Sequence, residues 1–197
     1  MSHYYENDPN LKNLDIEIEY TFKGCELHFK SNSGVFSKNR VDFGTNVLLN
    51  SLPDLSNEKS LLDVGCGVGI IGTCIKKKYN NIDVSMIDIN ERCIELAKKN
   101  LEYNGLSGKV LLSDMYEKID SKFDVIISNP PIRAGKKKVF EVVDGAYEHL
   151  NDGGKIFCVI QKKQGEASFL THMKDIFKNV EIINKEKGYY ILKSVKW

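Results

Sequence analysis

Three groups of residues in this sequence have types and spacing that could do chemistry. The first is Leu61-Leu62-Asp63-Val64-Gly65-Cys66-Gly67-Val68-Gly69-Ile70, with glycine at alternate positions. Glycine lacks a Cβ, so such a turn lets a ligand lie against bare backbone. A dinucleotide fingerprint needs its last glycine where Ile70 stands, so the loop is a poor nicotinamide match. Asp63 would repel a pyrophosphate and suits a cationic or zwitterionic ligand. The second group is a pair of acids, Asp88 in Met86-Ile87-Asp88-Ile89-Asn90 and Asp114 in Leu112-Ser113-Asp114-Met115. Asp88 follows the loop by about twenty positions, where a carboxylate can accept hydrogen bonds from both hydroxyls of a ribose. Asp114 can accept from an adenine amino group. Together Asp63, Gly65, Cys66, Gly67, Gly69, Asp88, Ile89, Asp114, Met115 and Asn129 form the expected cofactor-binding set.

The third group is Asn129-Pro130-Pro131-Ile132, the expected catalytic turn. Proline fixes φ and pushes the residue before it to an extended conformation. Two prolines after Asn129 make a stiff turn that aims the Asn129 amide oxygen and the Pro130 carbonyl outward. Neither proline has an N–H, so the turn offers mainly acceptors. Two convergent acceptors suit an amino group with two hydrogens and would orient its lone pair for in-line attack. Such catalysis is positioning plus electrostatics and needs no strong base. Adenosine and ribose recognition without a phosphate requirement points to S-adenosylmethionine, and the turn points to methyl transfer onto nitrogen.

The elements that must position these groups are legible in the hydrophobic pattern. Residues 15–22 and 25–30 alternate with period two around Lys23-Gly24, which predicts a β-hairpin. A loop follows, then a helix over about 42–52 that Pro53 ends. From residue 60 strands and helices alternate. Strands are expected at 61–64, 84–87, 110–112, 123–128, 156–160, 180–183 and 189–195, and helices at 70–78, 91–103, 139–150 and 167–177. Asn151-Asp152-Gly153-Gly154 is expected to stop the third of these helices. The pattern is that of an α/β fold: a doubly wound, seven-stranded parallel sheet with helices on both faces. Its last two strands, joined without a helix, are expected as an antiparallel pair at one edge. The organisation predicted is an N-terminal hairpin extension over 1–40 and one catalytic domain over 41–197, packed as one unit.

Composition narrows the function classes. The chain has 197 residues, 42% of them hydrophobic, with 28 Lys and Arg against 27 Asp and Glu. That is enough apolar material for a core, and the near-zero net charge restricts any nucleic-acid surface to a local patch. The polar N-terminus has no signal-peptide pattern, and no apolar run approaches the ~20 residues of a membrane span. Cys25, Cys66, Cys74, Cys93 and Cys158 form no CxxC pair, and His3, His28, His149 and His172 are dispersed. The expectation is a cytoplasmic protein with reduced thiols, no metal and no membrane partner.

The glycine loop, Asp88, Asp114 and Asn129-Pro-Pro-Ile132 together resemble the class I, Rossmann-like S-adenosylmethionine-dependent methyltransferases that act on amines. Further segments sharpen the likeness: Gly34-Val-Phe-Ser-Lys38, Asp42-Phe-Gly44, Asn129-Pro-Pro-Ile-Arg-Ala-Gly-Lys136, Gln161-Lys-Lys-Gln-Gly165 and Lys187-Gly-Tyr-Tyr-Ile191. With these the chain resembles the small standalone members of the RsmC-like family, the 16S rRNA guanine-N2 methyltransferases, from about Tyr4 to Lys196. The resemblance implies ribosomal RNA or the 30S subunit as partner. It differs from the two-domain members in two ways. The chain is too short for their degenerate N-terminal copy, and Ile132 stands where they carry a phenylalanine. Phe36 is the residue expected to supply the missing ring. Arg133, Lys136, Lys137 and Lys138, Lys162 and Lys163, and Lys38 and Arg40 would form a basic rim around the pocket that neutralises RNA phosphates. Two other readings stay open: transfer to a protein glutamine or a DNA adenine, and a module that binds the cofactor without catalysis.

Overall fold

A computed structural model of the chain describes residues 15–32 and 40–197. Two strands, β1 (Asp15–Phe22) and β2 (Cys25–Asn32), pair antiparallel across the Lys23-Gly24 turn. Helix α1 (Phe43–Ser51) follows, capped by the Asp42 side chain. The chain then winds through β3 (Ser60–Val64), α2 (Ile70–Lys78), β4 (Asp83–Asp88), α3 (Glu91–Tyr103), β5 (Lys109–Leu112) and β6 (Phe123–Ser128). It closes with α4 (Lys136–His149), β7 (Leu150–Gln161), α5 (Glu166–Phe177), β8 (Glu181–Glu186) and β9 (Tyr189–Val195). The seven-stranded sheet runs β5-β4-β3-β6-β7-β9-β8. Its first five strands are parallel, and β9 is antiparallel to both its neighbours.

Period-two alternation sends successive side chains of each central strand into different layers. Leu61, Val125, Ile127, Phe157 and Val159 join the layer built with the hairpin, α1, α2 and α3. Leu62, Ile126, Ile156, Cys158 and Ile160 join the layer under α4 and α5. The hairpin is part of the first layer: Phe22, Leu27 and Phe29 are fully buried in the same cluster as Leu48 and Ile75.

The outer edge of β2 is held by two side-chain amides one helical turn apart, Asn100 in α3 and Asn104 at its C-cap. Asn100 accepts from Lys30 N–H at 2.7 Å and donates to its carbonyl at 3.0 Å. Asn104 does the same for His28, at 3.0 and 2.7 Å. Asparagine reproduces a strand partner here because its amide carries one acceptor and a donor in the geometry of a peptide group.

Several strands run longer than expected, β2 to Asn32, β7 over Leu150–Gln161 and β8 over Glu181–Glu186, and two boundaries have a structural consequence. Helix α4 starts at Lys136, three residues before the apolar pattern, so its lysines form the first turn. The segment 151–154 is extended rather than a helix stop, because β7 begins at Leu150. The end of the chain supplies its partners: Gly153 N–H donates to the Lys196 carbonyl at 2.7 Å and Lys196 N–H to the Gly154 carbonyl at 2.9 Å.

Candidate active site

Parallel strands bring their C-terminal ends to one edge of the sheet, and every group singled out from the β3–α5 part of the sequence lies along it. From the β5 side to the β9 side the edge presents Asp114, Asp88, the glycine loop, Asn129, Gln161 and Tyr189. The residues expected to hold the cofactor and those expected to hold the acceptor therefore adjoin at Asn129, and the two sides of the edge are called the cofactor half and the acceptor half for those expectations.

In the cofactor half, Gly65, Gly67 and Gly69 all have left-handed backbone, with φ of 70, 55 and 83°. The loop is pinned to β4. Gly65 and Cys66 N–H both donate to the Ile87 carbonyl at 2.9 Å, and Gly67 N–H donates to Asp88 Oδ2 at 2.9 Å. A Cβ on Gly65 or Gly67 would meet no atom within 4 Å, so that side of the turn is open to a ligand. A Cβ on Gly69 would meet the Ala97 methyl at 2.9 Å, so this glycine serves packing against α3 as well as the turn. Asn100, which holds the hairpin, also donates to the Val68 carbonyl at 2.8 Å. The hairpin and the glycine loop thus share one buried amide.

The acids are in different states. Asp88 is buried and accepts from Asn90 and Gly67 N–H. Burial pushes its carboxyl up, against the pull of backbone N–H donors from Asn90, Gly67 and Ile89. Asp63 is fully buried; its Oδ2 accepts from Gly72 N–H at 3.0 Å, and its Oδ1 has no hydrogen-bond partner among the described residues. Burial pushes Asp63 up to about 7, opposed by the Gly72 bond and reinforced by the Asp88 charge. A buried carboxylate oxygen without a donor is costly, and an ammonium group placed near it would hold it ionised. Asp114 is already engaged: both of its oxygens accept from Lys138 Nζ, at 2.7 and 2.9 Å. Ile89 is exposed beside Asp88, and Met115 sits half-buried at φ 47°, a conformation that non-glycine residues rarely adopt.

The acceptor half is built on Asn129. Its Nδ2 donates to Asp42 Oδ2 at 3.2 Å and to Thr45 Oγ1 at 3.0 Å. A carboxylate only accepts, so the amide must turn its nitrogen toward α1 and its Oδ1 the other way. Asp42 is fixed in turn, because its Oδ1 caps α1 by accepting from Gly44 N–H at 2.9 Å and Thr45 N–H at 3.3 Å. Sequence reasoning placed Asp42 at the start of a helix and missed its second task; the local Asp-x-Gly-Thr pattern signals a cap, and nothing in it signals a partner 87 residues away. The Pro130 carbonyl is less free than expected. Pro131, at φ −76° and ψ 75°, centres an inverse γ-turn in which Ile132 N–H donates to that carbonyl at 2.8 Å. One lone pair of this buried residue is committed to the turn. Ile132 is half-buried at the start of a short 3-10 turn that leads through Gly135 into α4.

The basic residues divide. Arg133, Lys136, Lys137, Lys162, Lys163 and Arg40 are exposed. Lys138 is turned inward onto Asp114 and onto Glu141 at 2.8 Å, and hydrogen bonds to those two carboxylates push its ammonium up. It is a strut between the cofactor wall and α4 rather than a free rim charge. Phe36 and Lys38 lie outside the described residues. Among the described residues no group of three or more His, Cys, Asp or Glu could hold a metal, and no helix is long and apolar enough to cross a membrane.

The family model of the methyltransferase small domain matches residues 26–193. The chain belongs to that family. Its relatives include the uncharacterized protein YbxB of Bacillus subtilis, 41% identical over 98% of both chains. They also include the ribosomal RNA small subunit methyltransferase C of Haemophilus influenzae, 38% identical over 78% of this chain and 48% of the relative. Among solved structures, the T. thermophilus 16S rRNA N2 G1207 methyltransferase (RsmC) in complex with AdoMet and guanosine superposes with a TM-score of 0.84. That superposition has 24% identity and covers 96% of this chain and 52% of the other. The chain spans about half the length of the RsmC relatives it matches. S-adenosylmethionine is the cofactor of this methyltransferase domain, and the open glycine turn, the unpartnered Asp63 oxygen and buried Asp88 fit it. When bound, it supplies an electrophilic sulfonium methyl.

Proposed function

We propose that the acceptor of this S-adenosylmethionine-dependent methyltransferase is an exocyclic amine, and specifically the N2 of a guanine in 16S rRNA of the small ribosomal subunit. The observation that carries the amine reading is the orientation of Asn129. Asp42 and Thr45 hold its nitrogen, so its Oδ1 stands as an acceptor beside the remaining lone pair of the Pro130 carbonyl. Two N–H donors of one amino group fit these two acceptors. Bound this way, the amine aims its lone pair toward the cofactor half of the edge. The amine nitrogen forms the new N–C bond as the methyl leaves sulfur, and the cationic product sheds its extra proton to solvent. Asn129 and Pro130 hold no proton in this scheme; their contribution is alignment and stabilisation of charge growing on nitrogen, worth ~10²–10³ in rate for one such contact.

The RNA reading rests on the acceptor half. Lys136 and Lys137 stand in the first turn of α4, and Lys162 and Lys163 open the short 3-10 turn that leads through Gly165 into α5. Cations at a helix N-terminus oppose the helix dipole by ~0.3–1 kcal/mol each. That placement is explained when an anion binds there, since helix N–H groups and ammonium groups then act on one phosphate. The similarity to small-subunit methyltransferases favours ribosomal RNA, and a cytoplasmic site of action goes with that reading. A panel of acceptors tests the proposal: under-methylated 30S subunits, free 16S RNA, duplex DNA and a glutamine-bearing protein, each with labelled S-adenosylmethionine. Label in ribosomal RNA alone is expected. Label in protein or DNA, with none in RNA, would assign the same turn to another amine.

A further inference from the structure

The catalytic turn carries Ile132 where an aromatic residue would stack on a base, and the structure holds an aromatic pair that begins one residue after Asp42, the partner of Asn129 in that turn. We infer that Phe43, backed by Tyr189 and covered by Lys187, is the stacking platform for a nucleobase of the RNA acceptor. This rests on the RNA reading above and deepens it. Phe43 follows Asp42, whose carboxylate touches Asn129, so the platform adjoins the acceptor side of the turn. The Phe43 and Tyr189 rings are 5.4 Å apart and tilted by 60°. Both are half-buried against the hairpin-side core, which fixes their bodies and leaves an edge or face toward solvent.

The backbone is shaped to seat this pair. A Cβ on Gly44 would come within 2.9 Å of the Tyr189 ring, so the ring lies directly on the start of α1. On the other side, Lys162 N–H donates to the Gly188 carbonyl at 2.8 Å, which ties the β8–β9 turn to the end of β7. That turn carries Lys187, exposed, with its Nζ 5.1 Å from the centre of the Phe43 ring. An ammonium over an aromatic face marks a surface that accepts a cation or a flat ring. A base arriving on Phe43 displaces the lysine head, and its flexible stem lets the ammonium move to the phosphate of the same nucleotide. A stacked base with a neutralised phosphate is the usual unit of single-strand recognition. An aliphatic or acidic peptide would use the charge and leave the ring face idle, so the juxtaposition favours single-stranded RNA.

The probe is a 12-nucleotide single-stranded RNA containing 2-aminopurine, whose fluorescence falls when it stacks on a ring. It is titrated into the full chain held with S-adenosylhomocysteine. Wild type is expected to quench. Phe43→Leu is expected to abolish quenching and weaken binding by about tenfold. Lys187→Ala is expected to lower the slope of log affinity against log salt by roughly one while quenching persists at saturation. Calorimetric binding of S-adenosylmethionine to each variant reports folding. Equal quenching by wild type and Phe43→Leu, or none by wild type, would overturn the platform. If wild type quenches and yet transfers no methyl to 30S subunits, the guanine assignment fails while the platform stands.

Discussion

Replacing Asp42 by asparagine changes one oxygen for one NH2 group and separates capping from catalysis. In the native protein Oδ1 of Asp42 caps α1 and Oδ2 accepts from Asn129 Nδ2 at 3.2 Å. Asparagine is as good an N-cap as aspartate, so Asp42→Asn keeps the helix start and shifts stability by a few tenths of a kcal/mol at most. Its amide nitrogen would then face the nitrogen of Asn129, two donors with no acceptor between them. The relaxed arrangement flips Asn129, with its Oδ1 turned toward position 42 and toward Thr45 Oγ1, whose hydroxyl can donate. The NH2 of Asn129 then points at the acceptor amine and repels it. Loss of one oriented acceptor corresponds to ~10²–10³ in rate. The assay is single-turnover methyl transfer to under-methylated 30S subunits, with cofactor affinity measured by calorimetry. The expected result is a hundredfold or greater fall, roughly in line with that contact, with cofactor binding and melting temperature close to wild type. Asp42→Ala should add loss of the cap, about 1 kcal/mol, or a melting shift of roughly 2–4 °C. A rate for Asp42→Asn within about threefold of wild type, under half the free energy of a single hydrogen bond to a charged group, would refute the orienting role.

Cofactor binding should depend on pH through Asp63, whose carboxyl burial pushes up from the ordinary 3.8 to about 7. Binding of an ammonium-bearing ligand favours the carboxylate, so affinity should rise about tenfold from pH 6 to 8 and then level, with proton release seen in buffers of different ionisation heat. The same group lowers stability as pH rises from about 4 to about 7, because the fold favours its protonated form, and the penalty is constant above that. Asp63→Asn should therefore melt higher than wild type at pH 8, bind cofactor more weakly and lose the pH slope; an unchanged slope would place the titration elsewhere. Asn100→Ala removes the donor and acceptor that satisfy Lys30 and Val68. Leaving such buried groups unpaired costs ~1–3 kcal/mol each, so a lower melting temperature and faster amide exchange at Lys30 are expected together with weaker cofactor binding. Lys136→Glu with Lys137→Glu should weaken RNA binding and reduce its salt slope by about two, with cofactor affinity unchanged. An equal loss of both affinities would indicate unfolding.

The sheet, its helices and the placing of Asp88, Asp114 and the glycine loop along one edge were legible because they depend on local pattern. Apolar runs of four to six residues flanked by glycine or acids mark strand ends, and in a parallel sheet all strand ends share one edge. The helices at 70–78 and 91–103 have those bounds in the structure for the same reason: each starts at a loop residue with a definite capping or turning task. What local pattern does not carry is contact across the fold. Asp42 reads as a cap, yet its free oxygen reaches Asn129. Lys138 reads as one of three equivalent cations, yet Asp114 and Glu141 turn it inward. Nothing in the sequence pattern marks Asn100 or Asn104, yet they dock a strand. Residues 151–154 read as a helix stop, yet the last residues of the chain pair with them. Each of these depends on which side chain a distant element brings near, and no spacing in the sequence encodes that.

Methylation of the exocyclic amine of one guanine is the reaction proposed for this chain. The most direct test is mass spectrometry of nucleosides from 30S subunits that lack their native guanine-N2 methylation, after incubation with the enzyme and labelled S-adenosylmethionine. The account predicts one labelled nucleoside, N2-methylguanosine, and its loss with Asn129→Ala although the variant still binds cofactor. Label on a ring nitrogen, on a ribose oxygen or on ribosomal protein would contradict it.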